Sequence, residues 1–333
     1  MAIGKSSDFT VYSSEFNSAV TETLVQNTGI FNAASAGSIV LRAQAHKGNY
    51  LRESFFATLS GLVSRRDLTS VSAATDLALT SPEKVSVKIN RKVGPAASTL
   101  DAWRKIMMDL GDNPETQNST FSYLLGQQAA KAISIDYVNT ALLAASVALT
   151  GQSSVVYDIS GASPATISHT YLATLMSKLG DAANRIVCFV MHSSIYWQLV
   201  KQSIADKVTE VAGVVIQTGT PATFNRPVIV TDSAGLIDAA SPTRYYTLGL
   251  TAGAVEVLES EGRQMFADLV TGLEQVVVRL QGEHAFTVGL KGFTWDVTHG
   301  GANPLDAAIG TASNWDLIAT DLKDGPGVLL KSQ

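Results

Sequence analysis

The sequence contains a single cysteine, Cys188, among its 333 residues. One cysteine cannot form an internal disulfide or build a cysteine-based zinc or iron–sulfur site. It lies between Val187 and Phe189, in an apolar run where a buried thiol packs as a small hydrophobe. The chain therefore suits a reducing compartment, and no thiol chemistry is expected.

Charged residues are scarce as well, at 16% of the sequence against roughly 25% in an average soluble protein. Lys and Arg number 24 and Asp and Glu number 29, so the net charge is −5. Tight, salt-sensitive binding to nucleic acid needs a basic patch or stripe, and no block of like charges occurs. Hydrophobic residues reach 46%, so the chain can bury a sizeable core while exposing fewer charges than a free monomer usually does.

Long hydrophobic runs are also missing. The nearest, Ala141–Leu149, is far shorter than the roughly 18 apolar residues of a membrane helix. The first residues, 1–16, are polar and lack the apolar run of a signal peptide. We therefore expect no membrane partner, and the length suggests two domains or one elaborate domain.

Motifs that carry chemistry are absent from the sequence: there is no GxxxxGK[ST], no GxGxxG after a strand, no HExxH and no GxSxG. The histidines are scattered singly. His192 precedes Ser193, but adjacent side chains seldom face each other, so we interpret it as a loop histidine before a helix. Glu256, Glu259 and Glu261 could bind a cation, although a solvated face is the simpler interpretation. No catalytic residue, cofactor or metal site is predicted.

Residues 1–45 are rich in Ser, Thr, Asn, Ala and Gly, with apolar side chains at loose intervals. This composition predicts a mainly extended arm with one helix near residues 14–27, capped by Ser13 or Ser14. Apolar anchors on a polar segment suit contact with another surface. We expect a partner to order this arm; the alternative is a disordered tail.

Residues 84–91 alternate strictly, with Val85, Val87 and Ile89 on one face, which predicts a strand that is wet on its other side. Segments 65–71 and 76–80 are candidates for its partner strand, and Gly94-Pro95 is expected to close the hairpin. A long hairpin is only marginally stable alone, so we expect it to project and to be supported from outside its own domain.

The clearest single element is a helix over residues 114–149. Asn113-Pro114-Glu115 forms a start signal, apolar residues follow at spacings of three and four, and Gly151 ends the run. At 1.5 Å per residue the helix would be roughly 50 Å long, which is typical of the spine of a domain.

Helices and strands alternate over residues 165–265, as in a compact α/β-like domain. Near-continuous apolar strands at 185–191, 228–231 and 245–250 predict a sheet that is covered on both faces. Residues 275–280 and 284–295 are predicted to be paired strands joined at 281–283.

Five stretches, in this order and spacing, resemble a known family. They are Val63–Asp67 leading to Glu83–Pro95, the Gly126–Leu149 helix, Ile186–Ser194, Arg226–Ser233 and Tyr246–Ala254. Together they make the chain similar to the major capsid proteins of tailed bacteriophages, of the Hong Kong 97 type. The resemblance covers most of the chain from about residue 50.

The resemblance implies an α+β, Hong Kong 97-like capsid fold. Its parts would be an N-terminal arm (1–45), an E-loop region (46–95), a peripheral domain (96–160 and 265–333, with spine helix 114–149) and an axial domain (161–264). The implied function is structural: hexamers and pentamers close into an icosahedral head around double-stranded DNA, which is held without sequence-specific binding. Such a protein is no enzyme, belongs to the virion and is assembled in the bacterial host cytoplasm.

Partners and contact residues also follow from the resemblance. No long charged region precedes the arm, so we expect a separate scaffolding protein, besides a portal and a possible decoration or cement protein. Some relatives crosslink an E-loop lysine to an asparagine; Lys84, Lys88 and Asn303 match by type only, and we expect noncovalent contacts. The candidate subunit contacts are Phe9, Phe16 and Phe31 in the arm and Arg65, Arg66, Asp67, Lys84 and Lys88 in the E-loop.

Two alternatives stay open at this point. An encapsulin-type nanocompartment shell has the same fold but encloses an enzyme through a short cargo peptide. A cytosolic α/β enzyme or binding protein would need a convergent polar pocket with a perturbed titratable group.

Overall fold

The computed structural model describes residues 7–55, 63, 65, 66, 68, 69, 72, 73, 81–99, 101, 102, 114–210, 223, 224 and 226–333. Its helices are α1 (Ser7–Ala34), α2 (Pro114–Thr150), α3 (His169–Ser177), α4 (Ser193–Glu210), α5 (Val297–Gly300) and α6 (Asp306–Ile309). Its strands are β1 (Ile39–Ala43), β2 (Tyr50–Ser54), β3 (Glu83–Thr99), β4 (Val156–Asp158), β5 (Ile186–Met191), β6 (Val228–Val230), β7 (Ile237–Asp238), β8 (Arg244–Thr251), β9 (Val255–Val270), β10 (Val277–Leu290), β11 (Phe293–Trp295), β12 (Trp315–Leu317) and β13 (Gly327–Ser332).

Two mixed sheets organise the α+β fold. The first has the order β1-β9-β10-β3-β2, in which only the β1–β9 pair is parallel. The second has the order β4-β13-β8-β5-β6, with β7 paired to β8. Strand β13 therefore lies between β4, which it meets in parallel, and β8, which it meets antiparallel. A short β11–β12 ladder completes the strand pairing.

Helix α2 is the spine on which both sheets pack. It contacts β9 and β10 of the first sheet and β13 of the second. Between Thr140 and Leu149 nearly every side chain is buried, because neighbours surround the helix in this stretch. Alanines such as Ala144 and Ala148 let those neighbours come close. The helix predicted over 114–149 is confirmed, and its 37 residues make it about 55 Å long.

The C-terminal part of α2, Leu125–Thr150, is also long and apolar enough to cross a membrane by length and composition. Within the chain, however, 56% of the most apolar window is buried. The core helix of a packed fold has the same composition, and here α1 and both sheets cover it.

The first helix differs from the predicted arm. Instead of a mainly extended segment with a helix over 14–27, α1 runs from Ser7 to Ala34 and packs along α2. Phe16, Val20 and Leu24 are buried in this contact because they follow a helical spacing of four. The segment that we expected a partner to order is therefore packed within its own chain over residues 7–43.

The neighbours of β3 also differ from those expected. It pairs with β2 on one side and with β10 on the other, whereas segment 76–80, a predicted partner, lies outside the described residues. Its supposedly wet face is covered near Ser86, where β11 packs and the Val85 N–H donates to Thr294 Oγ1 at 2.8 Å.

Gly94-Pro95 does not close a hairpin, because β3 continues to Thr99. The ladder to β10 shifts register opposite these residues, which accommodates a proline that has no N–H to donate. Gly94 has φ +82°, and a Cβ there would lie 2.8 Å from Leu280 O. The two strands expected at 275–280 and 284–295 are likewise mainly one strand, β10, which runs unbroken through Gly282.

The second sheet matches the predicted strands in position, but β6 is only half-buried and Val230 is 42% exposed, so this strand is not covered on both faces as expected. Strand β5 is almost wholly buried, as its apolar run predicts, and α3 begins after Ser168, whose Oγ accepts the Tyr171 N–H at 3.3 Å. Helix α4 starts at Ser193, directly after His192 as expected, and extends to Glu210.

The packing of α1 depends on Gly126 of α2, where a Cβ would lie 2.7 Å from Phe16 O and 2.9 Å from the Ala19 Cβ. We expect Gly126→Val to lower the free energy of unfolding by about 2 kcal/mol, because the added side chain pushes α1 away. Urea unfolding and amide hydrogen exchange of α1 measure this effect.

The matched control is Gly29→Ala in α1, where an added Cβ meets nothing within 4 Å. This change leaves stability unchanged or raises it by about 0.5–1 kcal/mol, since alanine favours the helix. Equal effects of the two substitutions would contradict the proposed tight contact.

Candidate assembly interface

The segment between β2 and β3 leaves the sheet and returns to it at one point. The Phe55 N–H donates to Pro82 O at 2.9 Å, and Ser81 Oγ donates to Phe55 O at 3.4 Å. Arg52 and Glu83 form an ion pair of 3.0 Å beside them. The two ends of the connection between β2 and β3 are therefore clasped together, and we call residues 56–80, of which the structure describes 63, 65, 66, 68, 69, 72 and 73, the clasped loop.

The clasped loop carries exposed apolar and basic side chains. Val63 is 93% exposed and Leu68 is 83% exposed, and the predicted contacts Arg65 and Arg66 between them are exposed too. Asp67, the remaining predicted contact here, lies outside the described residues. Exposed apolar side chains of this size can form part of a contact surface, so Val63 and Leu68 are candidates for such a contact.

The two predicted E-loop lysines are paired within the chain. Lys84 Nζ lies 2.9 Å from Glu256 and 3.6 Å from Glu53, and the buried Lys88 ammonium pairs with Glu261. These ion pairs link β3 to β9 across β10, the strand that lies between them in the sheet. These lysines therefore stabilise the first sheet, and as subunit contacts they stay predictions.

The acidic cluster of β9 is not a purely solvated face. Glu256 also lies 3.8 Å from Arg42, and Glu259 lies 3.1 Å from Arg263 Nε. Each of the three glutamates therefore has a cationic partner in the chain. Sequence analysis singled out the lysines and the glutamates separately but could not join them, because more than 170 residues separate the two groups.

The phenylalanines of the predicted arm occupy different environments. Phe16 is 4% exposed and packs in its own core, so the contact expected from it is made within the chain. Phe31 is half-buried against the same core. Phe9 belongs to α1, but its side chain lies outside the described part of the structure.

Two further apolar surfaces are open. A groove of about 410 Å³ lies between α1, α2 and β6, with Phe31 and Val138 in its lining and exposed Ile30 and Ile135 at its rim. The far ends of β3, β9 and β10 form a three-stranded ribbon that leaves the core and exposes Phe266. We call residues 91–99, 261–270 and 277–284 the projecting ribbon.

The neighbourhood of His192 resembles a catalytic triad in composition only. Its Nδ1 accepts the Ser194 N–H at 3.2 Å, so His192 caps α4, and its Nε2 lies 3.5 Å from Asp232. A hydrogen bond from Ser193, followed by the charge of His192, lowers the pKa of Asp232. The serine thus donates to the acid and not to the imidazole, so no base activates it.

Other candidate chemistry is inert as well. Burial raises the pKa of Cys188 to about 11, so its thiol stays protonated and unreactive. Among the described residues, no group of three or more His, Cys, Asp or Glu side chains is placed to hold a metal ion.

At the root of the projecting ribbon, His284 of β10 is buried where the first sheet packs against α2. Its ring centre lies 5.7 Å from that of Tyr137 and 6.0 Å from that of Phe286, and neither ring nitrogen has a hydrogen-bond partner among the described residues. Burial, helped by the charges of Arg263 and Arg91, lowers the pKa of His284 to about 4. Sequence analysis missed this site, since a lone histidine in a strand gives no signal.

Exposed Val63 and Leu68 and the open groove are apolar surface on which another molecule can pack. The chain matches the Gp13-like family, described as major capsid protein 13-like, over residues 8–329. It belongs to this major capsid protein family. No curated protein matches it in sequence.

Solved structures are similar to this capsid protein at low identity. A structure from Mycobacterium phage Adephagia matches with a TM-score of 0.50 and 10% identity, covering 86% of this chain and 90% of that one. The capsid structure of cyanophage P-SCSP1u has a TM-score of 0.45 and 14% identity over 77% and 84% of the two chains. The cyanophage Pam1 capsid asymmetric unit has a TM-score of 0.48 and 10% identity over 86% and 85%.

Family membership decides among the alternatives. The chain is a phage coat protein, a component of the virion with a structural role and no enzymatic one, and its Hong Kong 97-like fold agrees with that role. An encapsulin-type shell and a cytosolic enzyme are not favoured. A coat protein associates with copies of itself in a shell.

The lowered pKa of His284 makes stability depend on pH. The unfolded chain binds a proton at this residue near pH 6.5 and the folded chain only near pH 4. As the pH falls between these values, the free energy of unfolding decreases by about 1.4 kcal/mol per unit, or about 3 kcal/mol in all. Urea titrations of the dissociated subunit at pH 7.5, 5.5 and 4.5 measure it.

The variant His284→Phe keeps a ring at this position but has no titratable nitrogen. As the pH falls, the parent loses stability through His284 and the variant does not. We therefore expect the free energy of unfolding of the variant to rise relative to that of the parent. A constant difference across this range would show that His284 does not cause the loss.

Proposed function

We propose that the chain associates as hexamers and pentamers, which close into the icosahedral head around packaged double-stranded DNA. The clasped loop is the observation that carries this proposal. Its exposed Val63 and Leu68 find no cover in the part of their own chain that the structure describes, and a neighbouring copy would provide that cover. Each such contact can be weak, because many identical contacts act together in a closed shell.

The proposed parts of the subunit follow the family resemblance. They are an N-terminal segment (1–45), an E-loop region (46–95), a peripheral domain (96–160 and 265–333) and an axial domain (161–264). A net charge of −5 supports packaging without sequence-specific binding, since a lining that gripped DNA would oppose its entry and exit.

Further partners belong to the same proposal. A separate scaffolding protein would guide assembly in the host cytoplasm, a portal would occupy one vertex, and a decoration protein could clasp the outer surface. Noncovalent contacts suffice in this scheme: Lys84 and Lys88 are ion-paired within the chain, and Asn303 Oδ1 accepts the Asn90 N–H at 2.8 Å.

The size of the native particle tests the proposal. Light scattering followed by negative-stain imaging of the purified protein, with its scaffold present, should reveal closed angular shells hundreds of ångströms across. DNA within shells purified from infected cells supports the phage head, whereas an enclosed enzyme would support the encapsulin-type shell. A monodisperse monomer or dimer under all of these conditions would refute shell formation.

The clasped loop yields a sharper prediction. We expect Val63→Ser combined with Leu68→Ser to leave the free energy of unfolding of the subunit unchanged, because both side chains are exposed. Each apolar side chain contributes about 1.5 kcal/mol or more when buried, so their loss raises the protein concentration needed for assembly by about a hundredfold. Sedimentation of closed particles against subunit concentration measures this shift.

Leu305→Ser is the control, since Leu305 is 78% exposed but lies outside the loop. Normal assembly of the double variant, or an equal loss in the control, would contradict a specific role of the clasped loop.

A further inference from the structure

The projecting ribbon meets the core at a boundary near Arg91 of β3, beyond which most of the described residues are exposed or half-exposed. Along β3, Ile89 is buried, whereas most residues from Lys92 to Ala97 are exposed. Its partners change in a similar way: Glu261, Gly262, Gln264 and Phe266 of β9 are exposed, although Met265 is buried, and the described residues of β10 before Gly282 are exposed or half-exposed. Arg91 is the residue of β3 at this boundary.

Arg91 ties the root of the ribbon to two other elements. Its guanidinium forms a forked pair with Asp306 of α6, with Nη2–Oδ1 at 2.5 Å and Nη1–Oδ2 at 3.3 Å. Nη2 also donates to Thr140 Oγ1 of α2 at 3.2 Å. Asp136, one turn before Thr140 on α2, lies 3.2 Å from Nε in an ion pair without an aligned hydrogen bond.

The geometry uses properties that only arginine has. The planar guanidinium pairs with both carboxylate oxygens of Asp306, and another of its edges faces α2. The guanidinium carbon lies 6.0 Å from the centre of the Phe286 ring. A lysine ammonium in this place could not make the paired contact with its fixed directions. Burial, with the charge of Asp306 acting in the same direction, raises the pKa of Asp136, so holding this carboxylate charged here is costly. A costly partly buried ion cluster is weak evidence for stability, and a role in fixing geometry explains it better.

Small rotations at this boundary become large displacements at the ribbon tip. From Arg91 to Thr99 the strand spans about 26 Å at roughly 3.3 Å per residue, so a 5° rotation moves its end by about 2 Å. A displacement of that size breaks hydrogen bonds and side-chain packing at a contact. The ribbon exposes Phe266 and the loop at its tip exposes Leu273, which are apolar side chains suited to such a contact.

We propose that Arg91 is a positioning residue that fixes the direction of the projecting ribbon relative to α2, and thereby the angle between neighbouring subunits in the shell. This inference rests on the proposed function, since it assigns the ribbon to contacts between copies. The two carboxylates and Thr140 hold the guanidinium from α2 and α6, and the guanidinium holds the ribbon.

The test is Arg91→Lys in the full chain, assembled with its scaffold, with particle diameters measured by electron cryomicroscopy. The substitution keeps the charge but loses the fork. We expect the yield of closed particles of the parental diameter to fall roughly tenfold, the factor for one lost directional contact, with particles of other diameters or open sheets in their place. The matched control is Arg185→Lys, which alters the Arg185–Asp324 pair beside the second sheet, away from both the ribbon and the clasped loop, and leaves diameters unchanged.

A purely stabilising role predicts a different pattern. In that case Arg91→Lys would lower the unfolding temperature of the subunit while the remaining particles keep the parental diameter, and this result would overturn the proposal. Parental particles at parental yield would overturn it too. If Arg91→Lys does not fold, Asp306→Asn tests the same fork from the other side, with the same two readouts. Failure of the parent chain to form shells would refute the proposed function instead.

Discussion

The burial of α2 is the constraint on which the rest of the structure depends. Its alanine-rich C-terminal half is enclosed on nearly all sides, and its N-terminal half carries α1 over Gly126. Both sheets pack on this one helix, so their relative position is set by its rigid, fully hydrogen-bonded backbone. The ends of the clasped loop and the root of the projecting ribbon belong to the first sheet, so α2 sets their positions as well.

Several charged side chains are paired within the chain, whereas several large apolar side chains are exposed. The cations of the first sheet, Lys84, Lys88 and Arg91, are paired with acids of their own chain. Large apolar residues such as Val63 and Phe266 are exposed instead. A free monomer would reverse this distribution, because exposed charges keep it soluble and exposed apolar surface promotes association. The low content of charged residues in the sequence agrees with this arrangement.

Elements with a strong local pattern could be predicted from sequence, including the 84–91 strand, the α2 helix and the buried β5. The prediction failed where tertiary contacts override composition. The polar residues 7–34 form a helix because α2 offers a surface on which they pack. Strand β10 continues through Gly282 because Gly282 is paired with β9. The Arg91–Asp306 fork could not be foreseen, since 215 residues separate its members. Local periodicity carries no information about such pairs.

The position of β13 has a consequence for synthesis on the ribosome. Residues 327–332 fill the place between β4 and β8, so the second sheet lacks an interior strand until they have been made. A nascent chain that stops earlier leaves the backbone groups of β4 and β8 without their partner in this sheet. A chain that ends before residue 327 therefore cannot complete the second sheet or present the finished subunit surface to its neighbours.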